Sequence, residues 1–310
     1  MRAGALLDAQ TAGFERVDPL LPRAAQPPDG HVLTAALPAG DRVAGVLTHS
    51  RFEPGSATTL WSPLTLWELH PLVGAATGAG MDALLREWQR VLTRTSTDAD
   101  SGCLVTWPSR DAAAAKPLLA HGFVPLTNLA VRLVRAGTPA NRAPQAGVTV
   151  RLATVADLDV VLALELAELA YSAQVGAAVV RPDAERVKRV TLTRHVEQGD
   201  PIWLAERDGL PVGVAHCRLI DVTEDSLTGI RLRPGRWGYV NCVSVAEGLR
   251  GAGVGRELMA VAHRELHRRG ATGTFLYVNP PNPLASVFWA RQGYRPLWTN
   301  WELRPAAALR

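Results

Sequence analysis

The chain has 310 residues, 47% hydrophobic and 20% charged, a composition that can bury cores and excludes wholesale disorder; at roughly 100–200 residues per domain it predicts two domains. Its net charge of +4 comes from 33 basic and 29 acidic residues scattered along the sequence, without the basic run of a nucleic-acid arm or a polybasic membrane anchor. Three cysteines, Cys103, Cys217 and Cys242, with no CxxC among them, exclude a disulfide framework and a cysteine-rich zinc site.

At the N-terminus, Asp8 interrupts the apolar stretch before the hydrophobic region of a signal peptide can form. The most apolar helical run, 160–170, is cut by Glu165 and Glu168 and is far short of the ~20 residues a bilayer span needs. A cytoplasmic protein without nucleic-acid or membrane partners is expected. The first clear strand is 31–37. Residues 68–80, ELHPLVGAATGAG, run from a strand into a glycine-rich turn, and 106–126 carry a strand, a short helix and a further strand. Residues 136–147, AGTPANRAPQAG, have no apolar period and are expected to be a linker between domains at 1–135 and 148–310.

The second half alternates as a strand at 148–153, then Thr154 stands as an N-cap before helical spacing over 155–170. A second helix, 183–198, stops at Gly199. Asp208-Gly209 between 202–207 and 211–220 marks a hairpin. A strand at 237–245, a glycine-rich turn and a helix over 254–269 follow. Arg264, His267, Arg268 and Arg269 sit near that helix's C-terminus, favourable to its dipole, and Gly270 ends it. After a strand at 274–278, Asn282 and Pro283 open a short helix as N-cap and N1. Gly293 closes it, and a strand pair is expected over 294–304. The order β-α-α-β-β-β-α-β-α-β predicts an α/β domain with a mixed sheet.

The first half repeats the end of this pattern. Residues 106–126 lie over 277–297 without a gap at a shift of 171, which places Asp111 on Asn282, Gly122 on Gly293 and Pro125 on Pro296. Residues 68–80 lie over 243–255 at a shift of 175. A duplicated domain is expected.

The chemistry-bearing motif is Arg250-Gly251-Ala252-Gly253-Val254-Gly255, between a strand and a helix. Glycines let a ligand approach the backbone, and the helix start offers unpaired N–H groups and the positive end of its dipole, which together suit a pyrophosphate. An arginine can add a charge-assisted contact. A dinucleotide GxGxxG would need glycine where Arg256 stands, and no GK[ST] of a P-loop exists. The second element is Asn282, Ala285, Gly293 and Tyr294 at matching spacing.

These two elements together resemble the GNAT superfamily of acyl-CoA-dependent N-acetyltransferases, over about 147–305 and more weakly over 31–135. The resemblance implies acetyl-CoA as cosubstrate, no metal, and two GNAT-like domains in tandem with the first degenerate. Pantetheine would hydrogen-bond the backbone near Val243 and Val245 between two splayed strands, with a backbone N–H near Val245 for the oxyanion. The pyrophosphate would sit on 250–255, and Asn282, Ser286 and Trp289 would line the coenzyme side of the last helix. Where the family has its proton-donating tyrosine this chain has Trp289, whose N–H has no acid chemistry near neutral pH; Tyr294, Tyr277 and Ser286 are alternatives by proximity. The usual glutamate on the strand before the turn is missing, and that face offers Tyr239 and Asn241 as catalytic candidates. Glu165 and Glu168 are further candidates for the base, with a solvated face the expected position of each, and His216 is expected in a satisfied core position. In the first copy Ala75 replaces the arginine of the turn and Leu118 replaces Trp289, while Gly78 and Gly80 are retained and leave a second coenzyme site open.

The expected activity is acetyl transfer to a primary amine of a small metabolite by direct attack in a ternary complex. A non-catalytic acyl-CoA-binding protein and a protein N-acetyltransferase are the alternative readings.

Overall fold

The structure, a computed structural model, describes residues 3–38, 40–133 and 147–309, so the expected linker lies outside the described residues except for Gly147. The first half runs α1 (Ala3–Val17), β1 (His31–Ala36), β2 (Arg42–Arg51), β3 (Thr65–Leu72), α2 (Thr77–Leu92), β4 (Ser101–Pro108), α3 (Ala112–Ala120) and β5 (Val124–Leu133). The second runs β6 (Thr149–Leu152), α4 (Leu158–Gln174), α5 (Ala184–Glu197), β7 (Ile202–Arg207), β8 (Leu210–Val222), β9 (Gly235–Val245), α6 (Val254–Arg268), β10 (Gly273–Val278), α7 (Pro283–Arg291) and β11 (Arg295–Leu303).

Local chemistry accounts for most boundaries. Thr154 and Asp157 form a capping box at the start of the α4 segment. Asp111 and Asn282 cap α3 and α7 by accepting from backbone N–H groups two or three residues on. Gly122 and Gly293 both end those helices at φ 87°, where a side chain would be strained. Asp208 and Gly209 turn the β7–β8 hairpin at φ 52° and 76°. The run 294–304 is one strand, not the expected pair. No turn interrupts it, and it meets a neighbour on each side.

The eleven strands of the described residues form one mixed sheet in the order β1-β2-β3-β4-β11-β5-β10-β9-β8-β7-β6. The last strand of each half lies inside the other half's sheet: β11 pairs with β4, and β5 pairs with β10. The register obeys the repeat. Trp298 faces Pro108 and Leu303 faces Cys103 on one side; Val278 faces Asn128 and Gly273 faces Leu133 on the other. Exchanging the copies by 171 residues maps one set onto the other. The β5–β11 pair is its own image, with Thr299 opposite Asn128 at the centre, their side chains joined by a 2.9 Å hydrogen bond.

The expected order of strand, glycine-turn helix, strand, short helix and strand is present in the first half. Its helix register differs by one residue. The buried stripe Gly80, Leu84, Leu85, Trp88 and Leu92 of α2 matches Val254, Leu258, Met259, Ala262 and Leu266 of α6 at a shift of 174, not 175. Helix periodicity, rather than the identity of the glycines, sets which residues face the sheet. One apolar core draws on both halves, with Phe14, Trp88 and Trp107 beside Phe275, Trp298 and Trp301. The three cysteines are buried and free, and no helix among the described residues is long and apolar enough to cross a membrane.

Candidate active site

Parallel strands β9 and β10 pair only from Trp237–Gly273 to Tyr239–Phe275, although β9 runs on to Val245 and β10 to Val278. Past Tyr239 the two strands part, and a cavity of about 1130 Å³ opens between them. Burying backbone polar groups without partners is costly, so such a gap in mid-sheet suits a ligand that can hydrogen-bond the strand edge.

One end of the cavity is the glycine turn. Gly251 and Gly253 have φ of 82° and 88°. Gly253 is the N-cap of α6 and offers no side-chain acceptor, so the cap leaves the first-turn N–H groups without a side-chain partner. Arg250, Arg256 and Arg291 contribute positive charge to the lining. The Arg250 guanidinium sits 5.1 Å from the Tyr171 ring centre, and its Nε donates to the Val245 carbonyl at 3.4 Å. At Gly255 a Cβ would meet the Phe288 ring of α7 at 3.4 Å, an ordinary van der Waals contact.

The expected coenzyme residues divide accordingly. Val243, Val245, Arg250, Gly251, Gly253, Gly255, Asn282 and Trp289 line the cavity. Ala252, Val254 and Ser286 do not. Val254 is in the core, and the Ser286 hydroxyl donates to the Pro280 carbonyl at 3.4 Å. Asn282 faces the cavity while its Oδ1 caps α7. Trp289 packs edge-on against Phe288 and Tyr294, at centroid separations of 4.8 and 5.2 Å. Tyr294 is 5% exposed, lies outside the lining, donates its hydroxyl hydrogen to Thr274 Oγ1 and meets His263 Nε2. Burial pushes its phenol up, so it is no acid for this cavity. Tyr277 does line it.

The other end is acidic and aromatic. It brings together Glu168 of α4, Lys188 of α5, Tyr239 and Asn241 of β9, and Asn300 and Glu302 of β11, while Tyr171 of α4 stays with Arg250 at the turn. Trp61 and Thr127 of the first half complete it. Tyr239 stacks on Phe275 at 4.9 Å, and burial raises its phenol well above the usual value. Asn241 places its Nδ2 3.2 Å from His216 Nδ1. Trp61 is held there by a docking contact that no local pattern reveals. Arg181, between α4 and α5, donates to the Thr59 and Ser62 carbonyls and pairs with Asp100 at 2.5 Å, while the Val179 N–H donates to the Leu60 carbonyl.

Neither glutamate of α4 is on a solvated face. Glu165 is 2% exposed, its Oε2 3.1 Å from Lys188 Nζ and its Oε1 2.7 Å from His216 Nδ1. Burial works to raise its pKa, but the His216 hydrogen bond and the Lys188 charge outweigh it and hold the carboxyl below its ordinary value. His216 is satisfied only at Nδ1, because its Nε2 is buried without a hydrogen-bond partner. Glu168 accepts a 2.6 Å hydrogen bond from Ser172, and burial, partly offset by that bond and by Lys188, raises its pKa. The signal was in the spacing: Val161, Glu165 and Leu169 fall on one helical stripe, so Glu165 had to enter the core with its neighbours. Beyond this network one ring nitrogen each of His195 and His216 and an Asp200 oxygen lie within 4.8 Å of one another, with Asp200 also bound by Arg218 Nε at 2.9 Å.

Residues 165–294 match the acetyltransferase (GNAT) family. Two curated relatives are named mycothiol acetyltransferase. The protein of Frankia casuarinae is 34% identical over 221 residues, covering 67% of this chain and 61% of its own. That of Frankia alni is 39% identical over 83 residues, covering 27% and 24%. The chain thus spans less than two thirds of the length of either relative. A GCN5-related N-acetyltransferase from Sphaerobacter thermophilus has the same fold, with a TM-score of 0.57 at 17% identity over 98% of this chain and 93% of its own. The splayed strands, the glycine turn and the family match lead to one assignment: residues 165–294 form a domain of the GNAT acetyltransferase family.

Proposed function

We propose that the protein transfers an acetyl group from acetyl-CoA to a primary amine of a small metabolite, in the cytoplasm, by direct attack in a ternary complex. The observation that carries this reading is the continuity of the cavity, from the glycine turn at 250–255 to the acidic, aromatic end at Glu168, Tyr239 and Trp61. Cosubstrate and acceptor would enter the same space from opposite ends and meet where β9 and β10 part. Arg250 and the first turn of α6 would hold the pyrophosphate, and the β9 edge at Val243 and Val245 the pantetheine. The residues fit: two left-handed glycines and a cap without a side chain leave the backbone open to a ligand.

The neutral amine nitrogen attacks the thioester carbonyl carbon, the C–S bond breaks, and the nitrogen loses its second proton. CoA departs as a thiolate that is protonated from water to the free thiol. The first proton must leave the ammonium before attack. An amine with a lysine-like pKa of ~10.4 arrives mostly protonated. Glu168 and Glu302 both line the cavity with pKa values raised by burial, but Glu302 is paired with Arg304, which leaves Glu168 to take that proton, directly or through water. Tyr239 and Asn241, beside it, would orient the acceptor. The carboxylates of Glu168 and Glu302 in the lining favour a cationic acceptor. The names of the two curated relatives make the amine precursor of mycothiol the first compound to test.

A thiol-release assay with acetyl-CoA and an amine panel that includes this precursor tests the proposal. Turnover of at least one amine is expected; acetyl-CoA binding without turnover of any would favour the acyl-CoA-binding alternative. Gly253→Asp puts a carboxylate against the pyrophosphate in a backbone conformation that disfavours a side chain. Calorimetry should show acetyl-CoA affinity at least tenfold weaker, and unchanged affinity would remove the turn from the site. Trp289→Phe should keep kcat within about threefold, because the indole acts as an apolar wall. A hundredfold loss, about 2.7 kcal/mol, with fold and affinity intact would show that its N–H contacts the transition state.

A further inference from the structure

The first copy has the frame of the same groove. Strands β3 and β4 pair in parallel from Thr65–Ser101 to Leu69–Val105 and then run on without pairing with each other, β3 to Leu72 and β4 to Pro108. Here the exposed backbone edge is taken. The Gln10 carboxamide of α1 donates from Nε2 to the Pro71 carbonyl at 3.0 Å and accepts at Oε1 from the Val73 N–H at 3.0 Å. Gln10 is 6% exposed. A single amide bridging residues two apart on an unpaired strand edge is the contact a pantetheine amide would make with β9.

The rest of this groove is filled. Phe14 of α1 lies edge-on to Trp107 and Trp298, each 5.5 Å away between centroids. By the 171-residue equivalence, Trp107 and Trp298 replace Val278 and Thr127, which line the open cavity of the second copy. Leu129 and Val131 likewise replace Asn300 and Glu302, and both are buried in the core with Phe14. The turn is closed as well. Helix α2 begins at Thr77 and takes Gly78 into its first turn, where a Cβ would lie 3.2 Å from the Ala113 carbonyl oxygen. Asp18, just past α1, latches the helix across the copies, with Oδ1 2.9 Å from Arg295 Nη2 of β11.

We infer that the groove of the first copy has a permanent ligand in helix α1, with the Gln10 carboxamide in the place of a pantetheine amide, so that each chain takes one acyl-CoA and not two. The argument rests on the reading that the second copy holds pantetheine along β9. Retained Gly78 therefore serves the close packing of α2 on α3 and Gly80 that of α2 on Val43 and Val73.

Hydrogen exchange on the full chain, with and without saturating acetyl-CoA, tests this together with native mass spectrometry. The Val73 amide should exchange slowly in both states, and the amides of 241–245 should slow only with acetyl-CoA. Gln10→Ala should speed exchange at Val73 at least tenfold and leave 241–245 unchanged. The milder Gln10→Glu keeps the acceptor for Val73 N–H and loses the donor to Pro71, so it should speed exchange less. One acetyl-CoA per chain is expected. Acetyl-CoA protection at Val73, or two equivalents bound, would overturn the inference and leave the proposed function standing. Absence of protection at 241–245 would instead strike the proposed function, while unchanged Val73 exchange in both Gln10 variants would by itself refute the role of α1.

Discussion

Glu168→Gln should lower kcat by a hundredfold or more while leaving acetyl-CoA affinity unchanged. The amide keeps the shape and the Ser172 contact but cannot take a proton, and a positioned general base contributes typically ~10²–10⁴-fold. The pH dependence supplies a second readout. Burial raises the Glu168 pKa above the ordinary carboxylate value of 4.5, so its active, ionised form appears only as pH rises through that higher value. Wild-type kcat should therefore carry an acidic limb displaced upward from 4.5 that Glu168→Gln lacks, while a limb belonging to the acceptor amine persists in both. A kcat within threefold of wild type, or an unaltered pH profile, would remove Glu168 as the base and return the role to water or to another cavity group.

Lys188→Met should destabilise the fold by about 3–5 kcal/mol, the cost of leaving one member of a buried ion pair without its partner. Glu165 is almost wholly buried, and its charge is balanced by Lys188 and the His216 hydrogen bond. Denaturant unfolding at pH 7 gives the number directly. The sign of its pH dependence follows from the depressed Glu165 pKa. A carboxyl whose folded pKa is lowered contributes stability that is present above its unfolded value, near 4.5, and is lost as pH falls through the folded value of about 2. The difference between wild type and variant should therefore be full at neutral pH and shrink as pH falls below 4.5. A cost under about 1 kcal/mol at pH 7 would mean that water or a rotated side chain neutralises Glu165, and that the network is not what fixes α4 against α5.

These two residues also show where the sequence stopped informing. Glu165 and Glu168 interrupt an apolar run, and charge in a helix usually marks a wet face. The helical period nonetheless put Glu165 on the buried stripe of α4. Its partners Lys188 and His216 come from α5 and β8, 23 and 51 residues away, and spacing does not reveal such pairings.

The sequence alone determined what depends on neighbours in the chain. The caps at Asp111, Thr154 and Asn282, the Asp208-Gly209 hairpin and the left-handed glycines of the 250–255 turn are local hydrogen-bonding and steric facts, and each stands where the residues called for it. The duplication was legible for the same reason, since both copies keep the residues that start and stop α3 and α7. Tertiary structure decided what depends on distant partners. Strands β5 and β11 descend from the same repeat, and nothing within either one says which half's sheet it should join. The exchange between halves was settled by long-range pairing. So was the fate of the two grooves. Whether parted strands hold a cavity or a core depends on what reaches them from elsewhere in the chain: Trp298 and the helix bearing Gln10 and Phe14 in the first copy, Thr127 and Trp61 at the edge of an open space in the second.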